Sequence, residues 1–328
     1  MEYYRNKHVV IPGGAGFIGS HLTEKLSTLG AHVTVIDNFQ TGFQKNVVNS
    51  DIEVVHANII DVNPPDADLI INLACPASPM HYQADPIGTW EASVLGIRNI
   101  LMSAKTSGAR VVHASTSEVY GDPSVHPQTE GYWGNVNPNG VRACYDEGKR
   151  AAETIAMDYH RLHGVDVRLP RIFNTYGPRM AVNDGRVVTN FISQALADQE
   201  ITVFGDGTNT RSFCYVSDMV DALLRIGAAD GLSGEVINLG NPNEFTVMEL
   251  AQKTIALTGS RSEIGFRELP QDDPRQRQPD ISKAREMLGW EPLVQLDEGL
   301  EKTISFYANQ GGAANQILCS SKLSEKIL

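Results

Sequence analysis

The sequence predicts an α/β fold with a doubly wound parallel sheet and a smaller α/β domain after it. Three observations support this: short apolar runs alternate with helical stretches in the first half, a glycine-rich loop follows the first apolar run, and the pattern changes near residue 175. Strands that alternate with helices imply right-handed crossover connections, and therefore parallel pairing. We expect residues 1–175 to form the first domain.

Six apolar runs in this first part have the length and composition of buried strands. They cover residues 9–11, 32–36, 52–56, 68–73, 110–114 and 165–169. Helical periodicity predicts helices at 17–29, 89–106 and 143–163. The alternation of the two types of segment predicts the doubly wound arrangement.

Beyond residue 175 the segments are shorter and are separated by turns that contain glycine and proline. Helical stretches are predicted at 187–198, 218–228, 247–258 and 296–308. We interpret 176–310 as mainly a substrate-binding domain that can return a strand to the first sheet, and 311–328 as a tail.

The composition is that of a globular, acidic protein. The 328 residues are 41% hydrophobic, and 27 basic against 39 acidic residues give a net charge of −12. This balance argues against a nucleic-acid binder or a protein held on an anionic membrane. There is no long apolar span or apolar leader, and the four cysteines lack metal-ligand spacing, so we expect a cytoplasmic protein with reduced thiols and no metal.

Gly13, Gly16 and Gly19 lie between the first predicted strand and the first predicted helix. Glycines there let backbone N–H groups approach a pyrophosphate at the helix N-terminus, as in Rossmann-type dinucleotide sites. Asp37, at the end of the second strand, suits a ribose diol and would repel a 2′-phosphate, which favours NAD over NADP. The further cofactor candidates are Phe17, Ile18, Asn38, Phe39, Thr41, Gly42, Asn58, Ile59, Leu73, Ala74, Ser115 and Thr175.

Tyr145 and Lys149 are four positions apart in a predicted helix, so their side chains share one face. Beside a dinucleotide, such a pair can remove a proton from an alcohol while the cofactor takes the hydride. The lysine ammonium and an oxidised nicotinamide are expected to lower the tyrosine pKa toward the working pH. Thr116 follows the fifth strand and can bond the reacting hydroxyl, and Glu118 can exchange a proton at the neighbouring carbon.

These residues resemble the extended short-chain dehydrogenase/reductase superfamily. A narrower resemblance, to the UDP-glucuronate decarboxylase (UDP-xylose synthase) family, extends over roughly residues 8–309. It is carried by sequence blocks at residues 72–79, 81–83, 85–87, 132–138, 142–150, 171–180, 184–188, 205–207 and 270–275.

The resemblance implies that NAD oxidises C4 of a UDP-sugar, that the C5 carboxylate leaves as carbon dioxide, and that the retained hydride then reduces C4. It gives Tyr145 the role of base, with Lys149 and Thr116 assisting, and gives Glu118 and Arg211 the carboxylate and the C5 proton. It implies a homodimer in which helices 89–106 and 143–163 of each subunit form a four-helix bundle. The substrate candidates are Ser78, Tyr145, Tyr159, Asn174, Arg186, Asn190, Phe191, Arg211 and Arg275.

Three other functions stay open at this stage. Sugar-nucleotide 4,6-dehydratases resemble this chain but carry an Asp-Glu pair where it has Ser117 and Glu118, and 4-epimerases usually have small residues at both positions. A nucleotide-sugar or NAD-binding module without catalysis is a further alternative, although Thr116, Tyr145 and Lys149 are intact. Asn58 departs from the acidic residue usual in the resembled family, and its amide can still bond adenine.

Overall fold

The computed structural model describes residues 2–48, 51–182 and 184–309. The predicted tail and Cys319 lie outside the described residues. The strands are β1 His8–Pro12, β2 His32–Asp37, β3 Ile52–His56, β4 Leu69–Asn72, β5 Arg110–His113, β6 Ser115–Thr116, β7 Val167–Ile172, β8 Thr175–Tyr176, β9 Ile201–Phe204, β10 Thr210–Ser212, β11 Cys214–Tyr215, β12 Val236–Leu239, β13 Glu244–Thr246, β14 Ile264–Arg267 and β15 Gln276–Arg277. The α-helices are α1 Phe17–Thr28, α2 Pro79–Ala84, α3 Pro86–Ser107, α4 Ala143–His163, α5 Val187–Leu196, α6 Val216–Ala228, α7 Val247–Thr258, α8 Ser282–Leu288 and α9 Leu296–Asn309.

The central sheet is parallel and runs in the order β3-β2-β1-β4-β5-β7-β12, with β6 also paired to β7. The strand order reverses direction between β1 and β4. In doubly wound sheets, ligands bind in the crevice outside the carboxyl ends of the strands at this reversal. The predicted Rossmann-type fold is therefore confirmed.

Alternate residues of the strands pack against helices on opposite faces of the sheet. On β1, Val9 and Ile11 belong to the core cluster that includes Leu22 of α1, whereas Val10 belongs to the cluster that includes Ile97 of α3. This follows from the two-residue period of side chains along a strand. Both faces of β1 are thus buried, as its continuous apolar run indicates.

The helix bounds predicted from the sequence agree closely with those in the structure. Helix α4 begins and ends at the predicted residues. α3 starts three residues early because Pro86 occupies the first helical position and Asp85 accepts a hydrogen bond from the Gly88 N–H. β7 lies two to three residues later than predicted. The short helices α2 and α8 were not predicted.

The second half of the chain contributes β12 to the edge of the central sheet, next to β7. Its other strands form small sheets, β13-β10-β15, β11-β8 and β14-β9. The division into a first domain and a substrate-binding domain at residue 175 remains our interpretation. Within the described ranges, no helix combines the length and apolar character needed to cross a membrane.

Candidate active site

The glycine loop lies against the end of β4 at the strand-order reversal. Gly13 has a φ of +79°, and a Cβ there would lie 2.6 Å from the backbone carbon of Leu73. A Cβ on Gly19 would collide with the carbonyl oxygen of Gly13. Gly16 is the N-cap of α1 and makes no side-chain cap. Only glycine fits at positions 13 and 19. The N-terminus of α1 stays open to an anion.

The Asp37 carboxylate lies beside this loop at the end of β2. One of its oxygens accepts the Ala15 N–H at 3.0 Å and the other accepts the Phe39 N–H at 2.8 Å. Burial raises the pKa of the Asp37 carboxyl, and these two backbone bonds oppose the rise. A carboxylate oxygen has a second lone pair, so Asp37 can still accept bonds from a ribose diol.

The loop and the predicted reactive residues line one cleft of about 400 Å³, a size typical of small-molecule sites. The predicted cofactor residues that line it are Gly13, Gly16, Phe17, Ile18, Gly19, Asp37, Asn38, Thr41, Asn58, Ile59, Leu73, Ala74, Ser115, Tyr145, Lys149 and Thr175. The other predicted residues that line it are Ser78, Thr116, Glu118, Asn174 and Arg186. This lining fits a dinucleotide, with its diphosphate at α1 and its reactive end at Tyr145.

Tyr145 and Lys149 extend from α4 toward the end of β5. The Lys149 Nζ donates a 2.9 Å hydrogen bond to the carbonyl oxygen of Ala114, in the break between β5 and β6, and lies 5.9 Å from the centre of the Tyr145 ring. The Tyr145 ring stacks on Tyr82, with the centroids 5.1 Å apart. Thr116 accepts the Glu118 N–H at 3.2 Å, which fixes the turn that carries both residues.

The expected lowering of the Tyr145 pKa is absent from the protein alone. Burial raises the pKa of the Tyr145 hydroxyl, and a hydrogen bond with Thr116 only partly opposes this. The expectation included the positive charge of an oxidised nicotinamide, which the groups of the protein do not replace. Desolvation of the phenolate therefore dominates.

Glu118 lies between two guanidinium groups. Its carboxylate accepts hydrogen bonds from Arg142 at 2.6 Å and from Arg277 at 3.2 Å. Burial alone would raise the pKa of Glu118, but the charges of Arg277 and Arg142 outweigh burial and hold the pKa well below its ordinary value. Glu118 is therefore an ionised carboxylate at the edge of the cleft.

A second acid extends this charged cluster. Asp273 contacts Arg142 at 3.5 Å and Arg211 at 2.8 Å. Three guanidinium groups thus contact two carboxylates beside the cleft. Guanidinium groups are well suited to binding an anionic substrate group.

The structure places seven predicted site residues outside the cleft lining. Phe39 packs on His56, and Gly42 lies against Ala15 and the Asp37 carboxylate. Arg211 contacts Asp273 and backbone carbonyls, and Arg275, whose side chain is 81% exposed, pairs with Asp122. The other three are Tyr159, which contacts His163, Asn190 on α5, and the core residue Phe191.

Four residues of this region were not assigned roles from the sequence. Tyr82 and Arg142 lie in the sequence blocks that carry the family resemblance. Nothing in their spacing indicates that Tyr82 packs on Tyr145 or that Arg142 pairs with Glu118. Arg277 is buried because β15 pairs with β10 and sets Arg277 opposite Arg211. His81 lines the cleft and bonds the Ser78 hydroxyl at 2.7 Å. The i, i+3 spacing of Ser78 and His81 was the one local signal available.

Comparison with known proteins shows which family this chain is related to. The model of the NAD dependent epimerase/dehydratase family matches residues 9–240. UDP-glucuronic acid decarboxylase 3 of Arabidopsis thaliana is 54% identical over 300 residues, which are 90% of this chain and 87% of that protein. UDP-glucuronic acid decarboxylase 1 of Danio rerio is 51% identical over 93% of this chain and 73% of its own length. The chain spans a smaller share, 66%, of UDP-glucuronic acid decarboxylase 4 of Arabidopsis thaliana.

Solved structures agree on the fold. UDP-glucuronic acid 4-epimerase from Bacillus cereus, in complex with UDP-glucuronic acid and NAD, is 26% identical with a TM-score of 0.85 over 92% of this chain and 99% of its own. The dTDP-glucose 4,6-dehydratase DesIV from Streptomyces venezuelae is 27% identical with a TM-score of 0.84, over 93% and 98% of the two chains. The chain therefore belongs to the NAD dependent epimerase/dehydratase family and, within it, to the sequence family of the UDP-glucuronic acid decarboxylases.

Proposed function

We propose that this protein is a carboxy-lyase that converts UDP-glucuronate to UDP-xylose with bound NAD, through a 4-keto intermediate. The observation that carries the proposal is the 54% identity to a UDP-glucuronic acid decarboxylase over 90% of the chain. A second support is the site itself, where the glycine loop, Tyr145, Lys149 and Glu118 line one cleft.

The cleft accounts for how the cofactor would be held. We assign the N-terminus of α1 and the glycine loop to the diphosphate, Asp37 to the adenosine ribose, and the cleft residues Asn58 and Ile59 to the adenine. We assign Lys149, which lines the cleft beside Tyr145, to the nicotinamide ribose. When bound, NAD supplies a hydride acceptor and then a hydride donor at C4 of the sugar.

Tyr145 takes the proton of the C4 hydroxyl and later returns it. Thr116 can bond the same hydroxyl, and the Lys149 Nζ lies 5.9 Å from the centre of the Tyr145 ring. We assign Lys149, together with the bound oxidised cofactor, to stabilising the tyrosinate. The resulting 4-keto acid loses carbon dioxide because the carbonyl beside C5 accepts the electron pair as an enolate.

The guanidinium cluster supports recognition of a uronate. Arg142, Arg211 and Arg277 come together around Glu118 and Asp273, and guanidinium groups bind carboxylates, so we assign the substrate carboxylate to this side of the cleft. Ser78, Asn174 and Arg186 line the cleft and are our candidates for the nucleotide half of the substrate. Arg186 is held 2.7 Å from Asp184 and would have to share or exchange this partner.

The pair Ser117–Glu118 separates this proposal from its neighbours. Elimination of water at C6 needs an acid beside the base, and a serine replaces the acid here, whereas decarboxylation of a β-keto acid needs none. The structural neighbour that binds UDP-glucuronic acid and NAD is a 4-epimerase. Epimerisation of the same substrate is therefore the second candidate.

The test is to incubate purified protein with UDP-glucuronate and catalytic NAD, and to identify the products by mass and NMR. We expect UDP-xylose and carbon dioxide in equal amounts. UDP-galacturonate as the product would establish the epimerase instead. Dehydration of dTDP-glucose, which a decarboxylase should leave unchanged, would also contradict the proposal.

We further infer a homodimer in which α3 and α4 of each subunit form a four-helix bundle. Support comes from large apolar side chains exposed along one side of α3, at Ile87, Trp90, Leu95 and Met102. Exposed apolar stripes of this kind mark interaction surfaces. We also propose a cytoplasmic location, because the described cysteines Cys75, Cys144 and Cys214 are free thiols.

A further inference from the structure

A second cavity, of about 240 Å³, lies near the Glu118 cluster. We call it the rear cavity. Its lining includes the side chains of Arg142 and Asp146 together with polar residues of two loops. Its other lining residues are Gly121, Asp122, Asn135, Val136, Asn137, Asp272 and Pro274. Polar walls and this volume allow the cavity to hold ordered water.

Three buried polar atoms in this region have no hydrogen-bond partner among the described residues. They are the Tyr82 hydroxyl, the Nε of Arg142 and the Oδ1 of Asp146. Buried polar groups are almost always paired, so unpaired ones point to water or a ligand. Asp146 is 6% exposed and follows Tyr145 directly on α4. Arg142 and Asp146 line the rear cavity, so their unpaired atoms indicate that this cavity holds ordered water.

Asp146 differs from Glu118 in its charge state. Burial, and next the negative charge of Glu118, raise the pKa of the Asp146 carboxyl to about 8, although Arg142 and Arg277 oppose the rise. Glu147 adds a smaller increase. The environment of Asp146 thus favours the protonated form, whereas the two guanidinium partners of Glu118 favour its ionised form.

The proposed reaction needs one proton from solvent at C5. The bond from C5 to the carboxylate carbon breaks, carbon dioxide leaves, and the electron pair remains as a C4–C5 enolate. A proton must then bond to C5 as the C4 carbonyl re-forms. Glu118 lines the cleft on this side but is ionised, so it needs a source from which to pass that proton.

We propose that Asp146 and water in the rear cavity form the proton supply for C5, acting through Glu118. Asp146 gives its proton to the Glu118 carboxylate, and Glu118 passes that proton to C5 of the enolate and becomes a carboxylate again. Water in the rear cavity then reprotonates Asp146. One proton is taken from solvent for each carbon dioxide released. Asp146 does not touch the sugar, so it is a positioning residue for the proton.

The inference rests on the proposed function and is tested in the reverse direction. Purified protein with bound NAD is mixed with UDP-xylose in D₂O, and deuterium at C5 is followed by NMR while nicotinamide absorbance reports oxidation at C4. Asp146→Asn should slow C5 exchange by about 10²-fold, the lower end for a lost proton-transfer group. Oxidation at C4 and binding of UDP-xylose should be unchanged.

The matched control is Asp158→Asn, the same change at an exposed site on the same helix, which should exchange like the wild type. If Asp146→Asn does not fold, Asp146→Ser, smaller and also without a carboxyl, takes its place with the same expectation. Unchanged C5 exchange, or an equal fall in C4 oxidation, would overturn the inference. A wild type that makes no UDP-xylose would instead defeat the proposed function.

Discussion

At the scale of single residues, the site shifts the pKa values of Tyr145 and Glu118 in opposite directions. Tyr145 is buried and neutral in the protein alone. Glu118 is also buried, but it is ionised because the positive charges of Arg142 and Arg277 stabilise its carboxylate. Burial acts in the same direction on both acids, and only the neighbouring charges differ. We therefore assign proton exchange with the C4 hydroxyl to Tyr145. The negative charge of Glu118 depends on Arg142 and Arg277.

Replacement of Tyr145 by phenylalanine tests the first of these roles. We expect kcat for UDP-glucuronate to fall by about 10²- to 10⁴-fold, the usual cost of losing a general base. The ring that stacks on Tyr82 remains, so Kd for substrate and NAD should change little. Steady-state kinetics and calorimetry measure the two quantities. Tyr3→Phe, far from the cleft, serves as the control, and retained turnover in Tyr145→Phe would refute the role.

Replacement of Glu118 by glutamine tests the buried ion pairs. It leaves the buried Arg277 guanidinium without its counter-charge and leaves Arg142 with Asp273 alone, so the free energy of unfolding should drop by about 3 kcal/mol at neutral pH. The folded pKa is depressed, so this stabilisation is present above the ordinary value of 4.5 and is lost as the pH falls below it. The difference between the two proteins in urea unfolding should therefore shrink in acid.

The control for that experiment is Glu24→Gln, which breaks an exposed pair with Arg179. It should change the free energy of unfolding by less than about 1 kcal/mol. An equal loss of stability in both variants would mean that burial of Glu118 adds nothing.

At the scale of elements, the turn from β1 into α1 is fixed by close backbone contact. A methyl group on Gly19 would meet the Gly13 carbonyl oxygen and lie 2.8 Å from the Gly14 Cα. Gly19→Ala should therefore displace the start of α1 and raise the Kd for NAD at least tenfold, or about 1.4 kcal/mol. Calorimetric titration measures this value. Gly131→Ala adds its methyl group in open space and should bind NAD normally.

Elements with a long periodic pattern could be predicted from sequence, whereas short ones could not. α4 spans 21 residues with a clear polar and apolar face, and its bounds were predicted correctly. α2 has only six residues, too few to show a period, so Tyr82 was not placed beside Tyr145. Arg277 was missed for another reason: its burial depends on the pairing of β10 with β15, which local sequence does not encode.

At the scale of the whole molecule, the topology explains why the candidate residues meet. Gly13, Leu73 and Thr116 follow β1, β4 and β5, neighbouring strands whose carboxyl ends face the same crevice. This convergence could be predicted, because parallel strands end at one edge. The charged cluster could not, since Glu118, Asp273 and Arg277 come together only through packing of the second half of the chain.

The proposed dimer is also a property of the whole molecule. Leu95→Asp puts a charge into the exposed apolar side of α3 and should convert a dimer into a monomer, as measured by light scattering after gel filtration. Leu293→Asp changes an exposed leucine outside α3 and α4 and should leave the mass unchanged. A wild-type protein of monomeric mass would contradict the dimer.

In the proposed reaction, oxidation and reduction at C4 both take place within one turnover. The most direct measurement uses UDP-glucuronate deuterated at C4, with NAD equimolar to the protein, and locates the deuterium in the product by NMR. We predict many turnovers to UDP-xylose that keeps deuterium at C4, without net NADH. Stoichiometric NADH, or UDP-xylose that has lost the C4 deuterium, would contradict it.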